Sequence, residues 1–140
     1  MKIVKKQTKK EGKEKMRTLT KTTNRFNGTL DHNHGVLLNS YNVNGRKIEI
    51  RTTIHSLERF EFRGVDVRKS LNSITRLGTY GLNRLAEDGI DTGINDYRND
   101  TTTILTFESD SENYVQVRIR TIIGRGNAYL KPGTKRIVLR

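Results

Sequence analysis

"IRTTIHSLERFEFRGVDVRKSLNSI", residues 50–74, changes its hydrophobic period from strand to helix and then breaks and restarts the helix, and that pattern decides the fold class. As far as Thr52, apolar Ile48 and Ile50 alternate with charged residues, the two-residue repeat of a half-buried strand. Thr52 or Thr53 can then cap a helix through "IHSLERFEF", which Gly64 closes as the residue just past its end. Asp66 is a second N-cap, and Val67, Leu71, Ile74 and Leu77 make one apolar stripe behind it.

The reading extends outward in both directions. "GVLLNSYNV" (35–43) and "RKIEIRTTI" (46–54) read as strands, and Asn44-Gly45 between them tolerates the positive φ of a tight turn, as does Asn27-Gly28. Downstream, "GTYGLNRLAEDG" predicts a short third helix closed by Gly89, and "IDTGINDYRND" (90–100) reads as a loop. "TTTILTFES" (101–109) and "YVQVRIRTII" (114–123) flank a polar tip and predict a hairpin. In its second strand Tyr114, Gln116, Arg118 and Arg120 share one face, with Val115, Val117 and Ile119 on the other. Lys131-Pro132-Gly133-Thr134 suits a type II turn before a last strand, "KRIVLR". The expectation is an α+β domain, with two or three N-terminal helices packed on a twisted antiparallel sheet of about four strands. It would occupy residues 20–140, behind a flexible basic arm at residues 1–19.

Bulk properties narrow the function. The 140 residues are 32% hydrophobic with a mean hydropathy of −0.74, so the core is small. Twenty-seven Lys/Arg against 15 Asp/Glu give +12, a balance that favours a polyanion through counterion release. Residues 1–17 hold eight of those cations and two acids, and Lys5, Lys6, Lys9 and Lys10 are candidate nucleic-acid contacts. The absence of cysteine excludes a disulfide scaffold, a thiolate nucleophile and a Cys-based zinc site. No apolar run is long enough for a membrane span or a signal segment, so the expected location is the cytoplasm.

Three groups of residues carry candidate chemistry. His55, Arg59 and Arg63, four residues apart, form one polar ridge on a helix. Histidine is the usual neutral-pH general base and arginine binds phosphate in two-pronged fashion, although on spacing alone a plain solvated face, with Glu58 and Glu61 pairing the arginines, is the commoner arrangement. The second group is Arg118 and Arg120, followed by Arg125, Tyr129, Lys131, Lys135 and Arg136, which suggests phosphate contact. With 6% aromatic residues and no Trp, composition argues against a base-stacking platform. The third is "DHNH": His32 and His34 would face one way in an extended chain, but the sequence offers no third ligand. No metal and no cofactor is therefore expected.

"IRTTIHSLERFEFRGVDVRKSLNSI" and "VQVRIRTIIGRGNAYLKPGTKRIVL" together resemble the RelE/barnase-like endoribonuclease superfamily, closest in pattern to phage RegB-type mRNA endoribonucleases and related toxin domains. The resemblance spans residues 46–140 and implies metal-independent cleavage of mRNA by attack of a ribose 2′-hydroxyl. His55 falls on that family's helix histidine, and Arg118, Arg120, Tyr129 and Lys131 on its basic sheet positions. In that scheme His55 is base or acid, Arg59 and Arg63 orient the helix or the phosphate, and Arg118 and Arg120 stabilise the phosphorane. Tyr129 or Lys131 would protonate the leaving oxygen. The second helix lacks the histidine of the RegB pattern, which leaves His55 without an acid partner. The alternatives are a non-catalytic nucleic-acid or ribonucleoprotein binder, and a phage effector or particle component docking on an acidic partner. Expected partners are RNA or another polyanion, with the ribosome or a host protein further options and no membrane.

Overall fold

The chain turns from strand to helix at Thr53, whose side-chain oxygen accepts a hydrogen bond from the Ser56 amide at 3.0 Å. The computed structural model describes residues 29–31 and 35–140. The basic arm at residues 1–19, the turn at Asn27-Gly28 and the His32/His34 pair lie outside the described residues. The strands are β1 (Thr29–Asp31), β2 (Gly35–Val43), β3 (Arg46–Thr52), β4 (Thr92–Asp96), β5 (Thr101–Ser111), β6 (Tyr114–Ile123) and β7 (Lys135–Leu139). Three helices, α1 (Ile54–Phe62), α2 (Val67–Leu77) and α3 (Thr79–Asp88), connect β3 to β4.

Local chemistry explains most boundaries. Asn44 and Gly45, at φ 52° and 79°, make the tight β2–β3 turn. Helix α1 ends in a Schellman motif: the Gly64 amide donates to Glu61 O at 3.0 Å and the Val65 amide to Phe60 O at 2.8 Å. Asp66 caps α2 by accepting from the Arg68 amide at 2.9 Å, and Gly89, at φ 66°, terminates α3. The Lys131–Thr134 segment forms the expected turn, with Thr134 N donating to Lys131 O at 3.1 Å and Gly133 at φ 91°.

The sheet corrects the expected architecture. It is a mixed sheet in the order β1-β2-β3-β6-β5-β4-β7, six strands of five residues or more with the short β1 at one edge. Neither four antiparallel strands nor N-terminal helices describe it, because the β2–β3 hairpin precedes the helices and joins the same sheet. The β3–β6 and β4–β7 pairs are parallel. After the three-helix crossover the chain lays down β4 away from β3, and the β5–β6 hairpin brings β6 back beside β3 in the same direction. Residue patterns report the period of a strand but not the direction of its neighbour, so the pairing was invisible to them. What stands is the α+β class, with the helices on one face.

The stretch read as a loop, residues 90–100, contains β4, the most completely buried strand. Its five residues, Thr-Gly-Ile-Asn-Asp, include one large apolar side chain, which defeats periodicity. Ile94 faces the core beside Leu57, Phe60, Val67, Ile74 and Leu82 of the helices and Ile48, Leu105, Val117 and Ile119 of the sheet. Beyond Ile94, Asp96 has no exposed surface. It accepts from Ser73 Oγ, from Arg76 Nη1 at 3.0 Å through each carboxylate oxygen, and from Asn99 N and Nδ2 at 3.0 and 2.8 Å. Burial pushes this carboxyl up, but the bonds from Ser73, Asn99 and Arg76 outweigh it and hold it at about 2.

Because the folded-state pKa lies below the ordinary carboxylate value of 3.8, Asp96 contributes stability above about pH 4 that is lost as pH falls toward 2. Asp96→Asn should cost roughly 2–4 kcal/mol at neutral pH. Denaturant unfolding at pH 7, 4 and 2.5 should show the gap between wild type and variant shrinking as the pH drops.

Candidate nucleic-acid interface

The face of the sheet away from the helices is built in two halves. Over β4 and β5 lies the segment 124–134, which has no regular structure but is tied down at closely spaced points. Asn95, on β4, projects to this face with no exposed surface, donating from Nδ2 to Thr102 Oγ1 at 2.9 Å and to Ala128 O at 3.3 Å. Its Oδ1 accepts from Arg136 of β7. Thr102 Oγ1 donates to Arg125 O at 2.8 Å and accepts from Ala128 N at 3.3 Å. The Gly126 amide donates to Asp100 Oδ1 at 2.9 Å. Two glycines let the segment lie this close. A Cβ on Gly126 would stand 2.7 Å from Asp96 O, and one on Gly93 would stand 2.5 Å from the Leu130 side chain. Ala128 and Leu130 are consequently buried, and Tyr129 between them is 76% exposed.

The second half lies on β3 and β6, whose parallel register sets Glu49 beside Gln116 and Arg51 beside Arg118. Glu49 Oε1 accepts from Arg51 Nε at 2.9 Å and from Tyr114 Oη at 2.7 Å, with Lys47 Nζ 3.7 Å from its other oxygen. Arg118 Nη2 donates to Gln116 Oε1 at 2.9 Å, and Arg51 Nη1 to Gly35 O at 3.5 Å. Burial pushes the Glu49 carboxyl up, yet the Tyr114 and Arg51 hydrogen bonds prevail and hold it below the usual range. Burial and the bond to Glu49 raise the Tyr114 phenol. Glu49, Arg51 and Gln116 are buried, so this half is a tied polar network that underlies the face.

The sequence-selected residues fall on two different layers. His55 and Arg59 on α1 and Arg63 at its C-cap are exposed, while Leu57 and Phe60 of the same helix are buried in the core. Arg118 shares a face with Tyr114 and Gln116 as expected, whereas Arg120 falls where the β5–β6 register slips and is exposed there. Arg125, Tyr129 and Lys131 come together on the pinned segment, and Arg136 joins them through Asn95. Lys135 does not: it lies beside α3, with Nζ 3.3 Å from Asp88. Lys5, Lys6, Lys9 and Lys10 lie outside the described residues. Sequence reasoning missed Asn95 and Thr102, which build the site; both sit in polar stretches whose value as buried hydrogen-bonding groups appears only once β4 is central.

Charge is distributed unevenly along the chain. Residues 113–140 carry seven Lys/Arg and no acid, while residues 18–112 carry 12 Lys/Arg and 13 acids. At the opposite end of the strands a polar cleft of about 410 Å³ is lined by Arg46, Asn83, Glu87, Glu112 and Asn113 among others. Among the described residues there is no His/Asp/Glu cluster able to hold a metal, and no helix is long and apolar enough to cross a membrane. No family model, curated protein or solved structure matches the chain.

Gly126→Ala tests the pinning. Its added methyl meets backbone rather than a yielding side chain, so stability should fall by roughly 1–3 kcal/mol. Amide exchange should also quicken at Ala128 and Leu130 before it does in β6.

Proposed function

We propose that this protein is a cytoplasmic nucleic-acid-binding domain, with RNA as the expected ligand. It grips the phosphodiester backbone across the segment 124–134 and the neighbouring exposed cation Arg136. The observation that carries the reading is the acid-free run of seven cations from residue 113 onward, part of which is displayed by a segment held rigid on a sheet. Arg125 and Lys131 are exposed, and no ion pair among the described residues occupies them. Each phosphate they neutralise releases condensed counterions, which supplies affinity without base recognition.

Metal-independent cleavage of mRNA through His55 is the competing reading. It would need His55 and the arginines of β6 to meet at one phosphate and an acid to partner the histidine, and α2 carries no histidine for that role. Binding needs only the exposed cations, which favours it as the reading.

The test is fluorescence anisotropy of a labelled RNA with the full chain in EDTA, titrated at salt concentrations between roughly 50 and 200 mM. Wild type should lose affinity steeply with salt. The double variant Arg125→Gln/Lys131→Gln should bind more weakly, with a salt slope shallower by roughly 1.4, two single-strand phosphate contacts. No binding at low salt, or an unchanged slope, would overturn the proposal. The recovered RNA should be intact for both wild type and His55→Ala; fragments made by wild type alone would restore the nuclease reading.

A further inference from the structure

Tyr129 is presented in a way that composition did not foretell. Its neighbours Ala128 and Leu130 are 1% and 6% exposed, fixed by the Asn95 and Thr102 bonds and by the glycine at position 93, while its own ring is 76% exposed. The backbone on both sides is anchored, so the ring projects from a fixed base. Tyr97 is a useful contrast, because the Arg140 guanidinium lies over its ring, 4.9 Å from the centroid. No such cation lies over Tyr129 among the described residues. Arg125 and Lys131 flank it in the chain, and both are exposed.

An exposed aromatic ring on a fixed segment that also carries two exposed cations fits the chemistry of an unpaired base with its adjoining phosphates. In a duplex the bases are already stacked on each other, so a single protruding ring has no face to meet. Rigid presentation also removes the ordering cost that a mobile loop would incur on binding. We infer that Tyr129 is the stacking platform for an unpaired base, and that the surface therefore selects single-stranded over duplex nucleic acid. This rests on the binding function proposed above and names the form of ligand it takes.

The experiment compares a labelled, unstructured 20-nucleotide RNA with the same strand annealed to its complement, on wild type, Tyr129→Ala, Tyr129→Phe and Phe62→Ala. Phe62, 92% exposed on α1, is the control for loss of any exposed aromatic. Tyr129→Ala should weaken single-strand binding by roughly 5- to 100-fold and change duplex binding less than about twofold. Tyr129→Phe keeps the ring and should bind as wild type, as should Phe62→Ala. Unchanged single-strand affinity in Tyr129→Ala would overturn the inference, as would an equal loss on both ligands or an equal loss in Tyr129→Phe. If any of these occurs while Arg125→Gln/Lys131→Gln still weakens binding, backbone recognition stands and only the stacking role is lost. If wild type binds neither ligand at low salt, both ideas fall together.

Discussion

Asn95 and Asp96 are neighbours on one buried strand, and because successive side chains of a strand point to opposite faces, they fasten opposite layers of the molecule. Asp96 faces the helices and holds Ser73 and Arg76 of α2 together with the backbone of the following turn. Asn95 faces the other way and holds the segment around Ala128 and the side chain of Arg136. A strand of Thr, Gly, Ile, Asn and Asp is a poor hydrophobic strand. It is central because each buried polar group finds its partners, and leaving one unmet would cost on the order of 1–3 kcal/mol.

That constraint shapes the proposed interface. The loop over β4 and β5 gains little from apolar burial beyond Ala128 and Leu130, so its conformation depends on the Asn95 and Thr102 bonds and on two glycines that permit close approach. The outward residues Arg125, Tyr129 and Lys131 are then displayed from a fixed frame. The adjacent Glu49–Arg51–Tyr114 network acts differently, since the Glu49 and Arg51 charges are largely spent on one another, while Arg118 donates to the neutral amide of Gln116. A buried network of this kind confers definition on the sheet more than it offers contacts to a ligand.

The helix layer is close to electrically balanced by contrast. Arg59 and Arg63 stand among Glu58 and Glu61, and Lys135, which reaches α3, meets Asp88. The ridge at residues 55–63 drew notice because its spacing is regular, yet regular spacing of polar residues is also what the solvated side of a helix over a core requires. Leu57 and Phe60, which set the phase of α1 on the sheet, thereby left His55 exposed.

Local chemistry was legible in the residues themselves: Thr53 and Asp66 as caps, Gly64 and Gly89 as helix ends, Asn44-Gly45 and Pro132-Gly133 as turns, and the alternation that put Gln116 and Arg118 on one face. Each of these depends on interactions spanning only a few residues. Strand order, the two parallel pairings and the burial of β4 were not legible, because they arise from contacts between residues tens of positions apart, and only such contacts convert Asn95, Asp96 and Thr102 from loop formers into the buried groups that hold the layers. The sequence alone determined that the chain is strongly basic at both ends; the tertiary structure decided that the helices and the segment 124–134 pack on different sides of the same sheet, because the neighbouring side chains of Asp96 and Asn95 point to opposite faces of β4.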